Sequence, residues 1–116
     1  MMTTPTIDRP TFDMLEQSTG AEFARELVGT FLQEAPTMLA DLRDALAKGD
    51  ADRFRRAAHS LKSNSNTFGA LQLGALAREL ELGGIAKATA NDGALLTALN
   101  AEYSRAAAAL DELRHA

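Results

Sequence analysis

Apolar residues in this chain recur three and four positions apart over almost its whole length, and that spacing restricts it to packed helices. The longest run is Phe23, Leu27, Val28, Phe31, Leu32, Met38, Leu39, Leu42 and Leu46, which lays one stripe along a helix from about Ala21 to Lys48. Pro36 falls inside it. An interior proline removes one backbone hydrogen bond and presses its ring on the preceding turn, so a bend is expected near Gln33 to Ala35. The stripe resumes in phase beyond Pro36, which predicts a kink and not a break. Gly49 closes this helix and Asp50 is placed to cap the next.

The same reading divides the rest of the chain. Pro10 suits the start of a short helix over about Thr11 to Gln17, ended by Ser18-Thr19-Gly20. A further helix is predicted from about Ala51 to Asn66, with Phe54, Ala57, Ala58 and Leu61 on its inner face. Thr67-Phe68-Gly69 turns the chain. The next helix begins near Ala70, carries Leu73, Leu76, Ala77 and Leu80 inward, and ends at Gly83-Gly84. Ile85 to Ala90 fits neither helix nor loop decisively. Asn91 or Asp92 is expected to cap a last helix running to about Arg114, with Leu96, Leu99, Tyr103, Ala106, Leu110 and Leu113 as its seam. Short connections between long helices imply antiparallel neighbours. The expected fold is all-α: an antiparallel up-down-up-down four-helix bundle with a short additional N-terminal helix. Residues 1–9 are expected to be a flexible tail and residues 10–116 one domain, a length that suits a single core.

Charge and composition exclude several functions. Net charge is -4, so the basic face that nucleic-acid binding requires is not expected. The absence of Cys removes a disulfide framework, a thiolate metal site and a cysteine nucleophile. Met1 to Arg9 has no apolar run of the signal-peptide kind, and no segment approaches the roughly 18 consecutive apolar residues of a membrane span. The expectation is a soluble cytoplasmic monomer, since the seams are used up within one bundle. No two His stand at metal-ligand spacing, so no metal is expected. Gly83-Gly84 lacks the Lys-Ser or Lys-Thr of a phosphate loop, and no Ser-His-Asp arrangement is suggested. Glu79 and Glu81 read as carboxylates on a solvated helix face. His115 lies in the C-terminal fringe.

One segment carries chemistry: Arg55-Arg56-Ala57-Ala58-His59-Ser60-Leu61-Lys62-Ser63-Asn64-Ser65-Asn66. Phe54 and Leu61, seven apart, fix which way its helix faces. His59 stands about 200° from Leu61 and must point to solvent. Arg55, Arg56, Lys62, Ser63 and Asn66 share its face, three, four or seven positions away. A neutral imidazole, with an ordinary pKa of about 6.5, is a nucleophile at neutral pH. Attack on phosphorus would give a covalent phosphoramidate. Cations one turn away would stabilise the added charge, with Lys62 best placed and Arg55 and Arg56 behind it. Ser60 and Ser63 are small enough to admit an incoming active site. The competing reading is an ordinary solvated basic face. Ser65, four residues after Leu61, faces inward and needs a partner such as a carbonyl one turn back.

His59-Ser60-Leu61-Lys62-Ser63, followed by Thr67-Phe68-Gly69-Ala70, resembles the signature of the histidine phosphotransfer (HPt) domains of two-component phosphorelays. That signature is His-x-Leu-Lys-Gly, then small or polar residues, an apolar residue, Gly and Ala. Ser63 stands where Gly is commonest. The resemblance implies His59 as phosphoacceptor, Lys62 as the phosphate-stabilising cation, and Gly69 as the turn into the next helix. It implies that Arg55, Arg56, Ser60, Ser63 and Asn66 surround the docking partner. That partner would be a response-regulator receiver domain or a hybrid sensor histidine kinase. The receiver would supply both the aspartyl phosphate and the Mg²⁺, so the chain would be a phosphocarrier with no cofactor or nucleotide site of its own. Two alternatives stay open. One is the phosphotransfer domain of a chemotaxis-type histidine kinase, phosphorylated by that kinase's own ATP-binding domain. The other is a non-enzymatic helix bundle that binds a partner. A kinase dimerisation helix fits less well, because its His is usually followed by Glu and then Pro.

Overall fold

Turns at Gly20, at Gly49-Asp50 and at Phe68-Gly69-Ala70 cut the chain into helices that must pack on one another to bury their stripes. The computed structural model describes residues 6–115. Among these, every regular element is an α-helix: α1 (Arg9–Thr19), α2 (Ala21–Lys48), α3 (Ala51–Thr67) and α4 (Leu71–Arg114). Helix α1 starts where Asp8 accepts a hydrogen bond from the Thr11 amide at 3.1 Å, with Pro10 in its first turn. Helix α2 runs without interruption through Pro36, as the in-phase stripe requires, and buries Val28, Phe31, Ala35, Leu39 and Leu42. Gly49 ends it in the left-handed region, φ 68°. There the Asp50 amide reaches back to the Ala45 carbonyl at 2.8 Å, and the Asp50 side chain caps α3 by accepting from the Arg53 amide at 3.1 Å. One two-residue turn thus finishes one helix and starts the next.

Helix α4 is not one straight rod. Its backbone leaves helical geometry at Gly84 and again over residues 90–93, where Asn91, Asp92 and Gly93 all take positive φ. The Gly83-Gly84 stop predicted from sequence is therefore a real break. The ambiguous stretch after it is a short helical piece anchored by buried Ala88. Asn91 and Asp92, expected as caps, instead form the turn itself. Both residue types tolerate the left-handed region better than most.

The core is one cluster that draws on every helix. Phe12, Phe31, Leu42, Phe54, Leu61, Leu73, Leu80, Leu99 and Leu110 are all buried in it. Burying a side chain such as Phe54 contributes about 1.5–3 kcal/mol. Helix α3 lies between α2 and α4 and touches both, which fixes its inner face and leaves the opposite face free.

Two expectations need correction. Residues 1–5 of the proposed tail lie outside the described residues, but residues 6–9 do not behave as a tail. Ile7 is buried, Asp8 caps α1, and the Asp8 amide donates to the Gly69 carbonyl at 2.8 Å. A lone Ile among polar residues carries no period, so its burial depends on a partner sixty residues away. Phe23, assigned to the α2 stripe, is half exposed, and the neighbouring Ala24 is the residue that the first turn of α2 buries. Ser65 does behave as expected: it is buried, and its hydroxyl donates to the Leu61 carbonyl at 2.6 Å.

Candidate phosphoacceptor site

Leu61 is fully buried, and the residue two positions before it is turned outward as the helical angle demands. His59 is 55% exposed in the middle of α3. Arg55, Arg56, Ser60 and Ser63 are exposed around it. Asn66 is exposed too, but it stands two turns on, and its carboxamide lies against Gly74 of α4, where a Cβ would collide with it. Asn66 thus belongs to the contact between helices. Ser60 borders a groove between α2 and α3 that also involves Met38, Arg56 and Ala57.

Glu81, expected on a solvated helix face, is instead part of this site. Its carboxylate is 13% exposed and faces α3. Oε2 lies 2.6 Å from His59 Nδ1, and Oε1 lies 2.7 Å from Lys62 Nζ. The ammonium approaches Oε1 as an ion pair and not along a well-directed hydrogen bond. The pairing with Lys62 foremost, and then the contact with His59, holds the Glu81 carboxyl below the usual carboxylate range against the opposing effect of burial. An ionised carboxylate can only accept, so His59 Nδ1 must be the donor. Nε2 is the nitrogen not engaged by Glu81.

The periodicity of α4 by itself puts Glu81 on a solvated face. Its place follows from two helices read together. Asn66 sits beside Gly74, and His59 sits beside Glu81. Seven residues back along α3 correspond to seven forward along α4, as in any pair of helices running in opposite directions. Gly74 is the sequence signal. A glycine inside an otherwise good helix marks close approach of a neighbour, and the residue one heptad later shares its face.

The cations of this face are all engaged. Lys62, 24% exposed, is held by Glu81. Arg55 pairs with Asp52 at 2.9 Å, and Arg56 approaches the same carboxylate at 3.5 Å. No group of three or more metal-ligating side chains occurs among the described residues, and no helix there is long and apolar enough to cross a membrane. Gly69 has φ 85°, and a Cβ on it would fall 2.7 Å from the Asp8 carbonyl oxygen. It is therefore required twice over, by its backbone conformation and by the close approach of the N-terminal segment.

An oriented imidazole with one nitrogen not engaged by Glu81, a partly covered carboxylate beside it and small exposed neighbours is chemically able to attack a group brought by another molecule. Residues 26–115 match the sequence profile of the Hpt domain. The crystal structure of histidine-containing phosphotransfer protein B from Pseudomonas aeruginosa is similar over 97% of each chain, with a TM-score of 0.86 and 26% identity. No curated protein matches the chain significantly by sequence.

Proposed function

The chain belongs to the Hpt domain family and has a histidine phosphotransfer role in a phosphorelay; from that premise we propose that His59 is its phosphoacceptor, through Nε2. The observation that carries this reading is the Glu81–His59 contact at 2.6 Å, which points one nitrogen inward and leaves the other free. A receiver domain carrying an aspartyl phosphate docks over the exposed face of α3 and brings its own Mg²⁺. The Nε2 lone pair attacks phosphorus, the bond from phosphorus to the aspartate oxygen breaks, and the carboxylate leaves with that electron pair. The phosphorylated ring keeps its proton on Nδ1, where Glu81 stabilises the positive charge that develops. A second receiver aspartate reverses the step.

Lys62 serves the same end from behind. By neutralising Glu81 it keeps the site from presenting net negative charge to an incoming phosphoryl group. Arg55, Arg56, Ser60 and Ser63 border the docked receiver, and Gly69 fixes the turn that seats α4 beside α3. The four long helical segments, 21–48, 51–67, 71–83 and 94–114, form an up-down-up-down bundle with α1 across it. The domain acts as a cytoplasmic monomer, without a nucleotide site or cofactor of its own.

The test is direct. His59→Gln should abolish labelling by a phosphorylated receiver, measured as acid-labile phosphate, while far-UV helicity stays at the wild-type level. Equal labelling of the two proteins would overturn the assignment.

A further inference from the structure

The two ring nitrogens of His59 serve different sides of α3. Nδ1 meets Glu81 of α4 at 2.6 Å, so Nε2 is directed away from α4. At about 100° per residue, Ser63, Arg56 and Ser60 fall on one side of His59 around the helix, and Arg55 and Lys62 fall on the other. The second side faces α4: Lys62 Nζ sits 2.7 Å from Glu81, and Arg55 lines a groove with Glu81 and Leu82. The first faces α2. There Arg56 and Ser60 line a groove with Ala57 of α3 and Met38 of α2. Met38 and Ala57 are apolar and only partly covered, and Ser60 is small and exposed. Asp41 and Arg53 also border this groove, but they bond each other at 2.9 Å. Arg56 is 67% exposed, and its own carboxylate contact is long, 3.5 Å.

We infer that the receiver seats itself in this groove between α2 and α3, with Met38 as its apolar contact, so that α2 takes part in choosing the partner. This rests on His59 as the phosphoacceptor. The occupant follows from continuity and charge. A receiver must approach the nitrogen that Glu81 leaves unengaged, and the groove begins at Ser60, the next residue in the chain. An aspartyl phosphate is anionic, and Arg56 is the exposed cation on the rim, placed to draw it in. Methionine suits the contact, because its unbranched side chain adapts to the shape of what covers it. The opposite groove offers an exposed leucine, Leu82, but it lies on the side to which Nδ1 is turned.

The experiment uses the full chain and a receiver domain that labels it, phosphorylated beforehand with acetyl phosphate. Rapid quench follows transfer across a range of receiver concentrations. Met38→Gln keeps the reach of the side chain but not its apolar character. It should raise the half-saturating receiver concentration about tenfold, the scale of one central contact. The rate at saturation should stay at the wild-type value, because Met38 is not on the helix of the nucleophile. Ser60→Phe fills the groove from an exposed position and should act in the same direction, with the melting temperature unchanged. Arg56→Gln should raise the half-saturating concentration less, by an amount that shrinks in high salt. Leu82→Ser, on the α4 side, should leave it at wild type. A rise in Leu82→Ser equal to that in Ser60→Phe would overturn the inference. So would a wild-type value in Ser60→Phe, whatever Met38→Gln does. Phosphoramidate, a small donor that needs no partner, reads the premise separately. Label on a residue other than His59 removes the phosphoacceptor, whereas label on His59 with no effect of Ser60→Phe on the receiver removes only the docking groove.

Discussion

Helix α3 carries an ion cluster on each flank, and the two differ in what they leave unused. Toward α2, Arg53 reaches Asp41 at 2.9 Å and also bonds Asp44, which Lys48 approaches at 3.1 Å. Each of those groups is charged, each charge has an opposite partner, and each carboxylate is more than 40% exposed. Toward α4, Glu81 is much less exposed and is shared between Lys62 and His59. One of its partners is an imidazole with a second nitrogen still available. The first cluster is closed and serves as a fastening between helices. The second is open, because the imidazole keeps a nitrogen that Glu81 does not engage. Ion pairs alone therefore do not mark a site. A member with unspent chemistry does.

The contrast can be broken most forcefully at Ser63. It is exposed four residues beyond His59, on the same face and away from Leu61. A receiver must bring phosphorus within roughly 3–3.5 Å of the nucleophile, and a misplacement of about 1 Å can cost a hundredfold. Ser63→Leu should lower the rate of receiver transfer by about that factor, measured by rapid quench, while the thermal unfolding curve is unchanged. Phosphoramidate, a smaller donor, should still label it. A wild-type transfer rate in Ser63→Leu would mean that docking does not use this face.

Next in size is a matched pair of substitutions, one in each cluster. Glu81→Gln keeps an acceptor for Nδ1 but removes the charge, and should slow phosphoryl transfer about tenfold, the scale of one hydrogen bond to a charged group. Arg53→Gln should leave transfer at the wild-type rate and move only the denaturation midpoint, slightly downward. If the two variants slow transfer equally, the division into open and closed clusters is wrong.

The smallest expected effect is in acid. Glu81 is held low by Lys62 and then His59, and Asp44 by Arg53 and then Lys48. A depressed folded value means that the stability each contributes is complete above the ordinary carboxylate value, about 4, and is lost as pH falls through the lower folded value. Melting temperature should therefore decline from about pH 4 downward. Asp44→Asn and Glu81→Gln should each flatten that decline. High salt should flatten the Asp44 contribution more, because exposed pairs are screened more strongly.

Within-helix features were readable from sequence, and between-helix features were not. The Gly49-Asp50 turn and the span of α2 follow from stripe, glycine and cap, all local signals. The outward direction of His59 needs only Phe54 and Leu61. Glu81 looked like any surface carboxylate because its neighbours are on α3, 22 residues earlier in the chain. Ile7 looked like a stray apolar residue for the same reason. The pairing of Lys62 with Glu81 was hidden in the same way, because its partner lies on α4.

The backbone bond from Asp8 to Gly69 gives the folding process a distinctive last step. The contacts of α2 with α3, and of α3 with the first part of α4, join segments adjacent in sequence, and such contacts form fast. The Asp8–Gly69 bond instead closes a loop of roughly sixty residues. The entropy cost of closing a loop grows only with the logarithm of its length, so a single hydrogen bond and the burial of Ile7 can offset it once the hairpins exist. Formed late, this contact reports that the helices on either side of the Gly69 turn have already met in register.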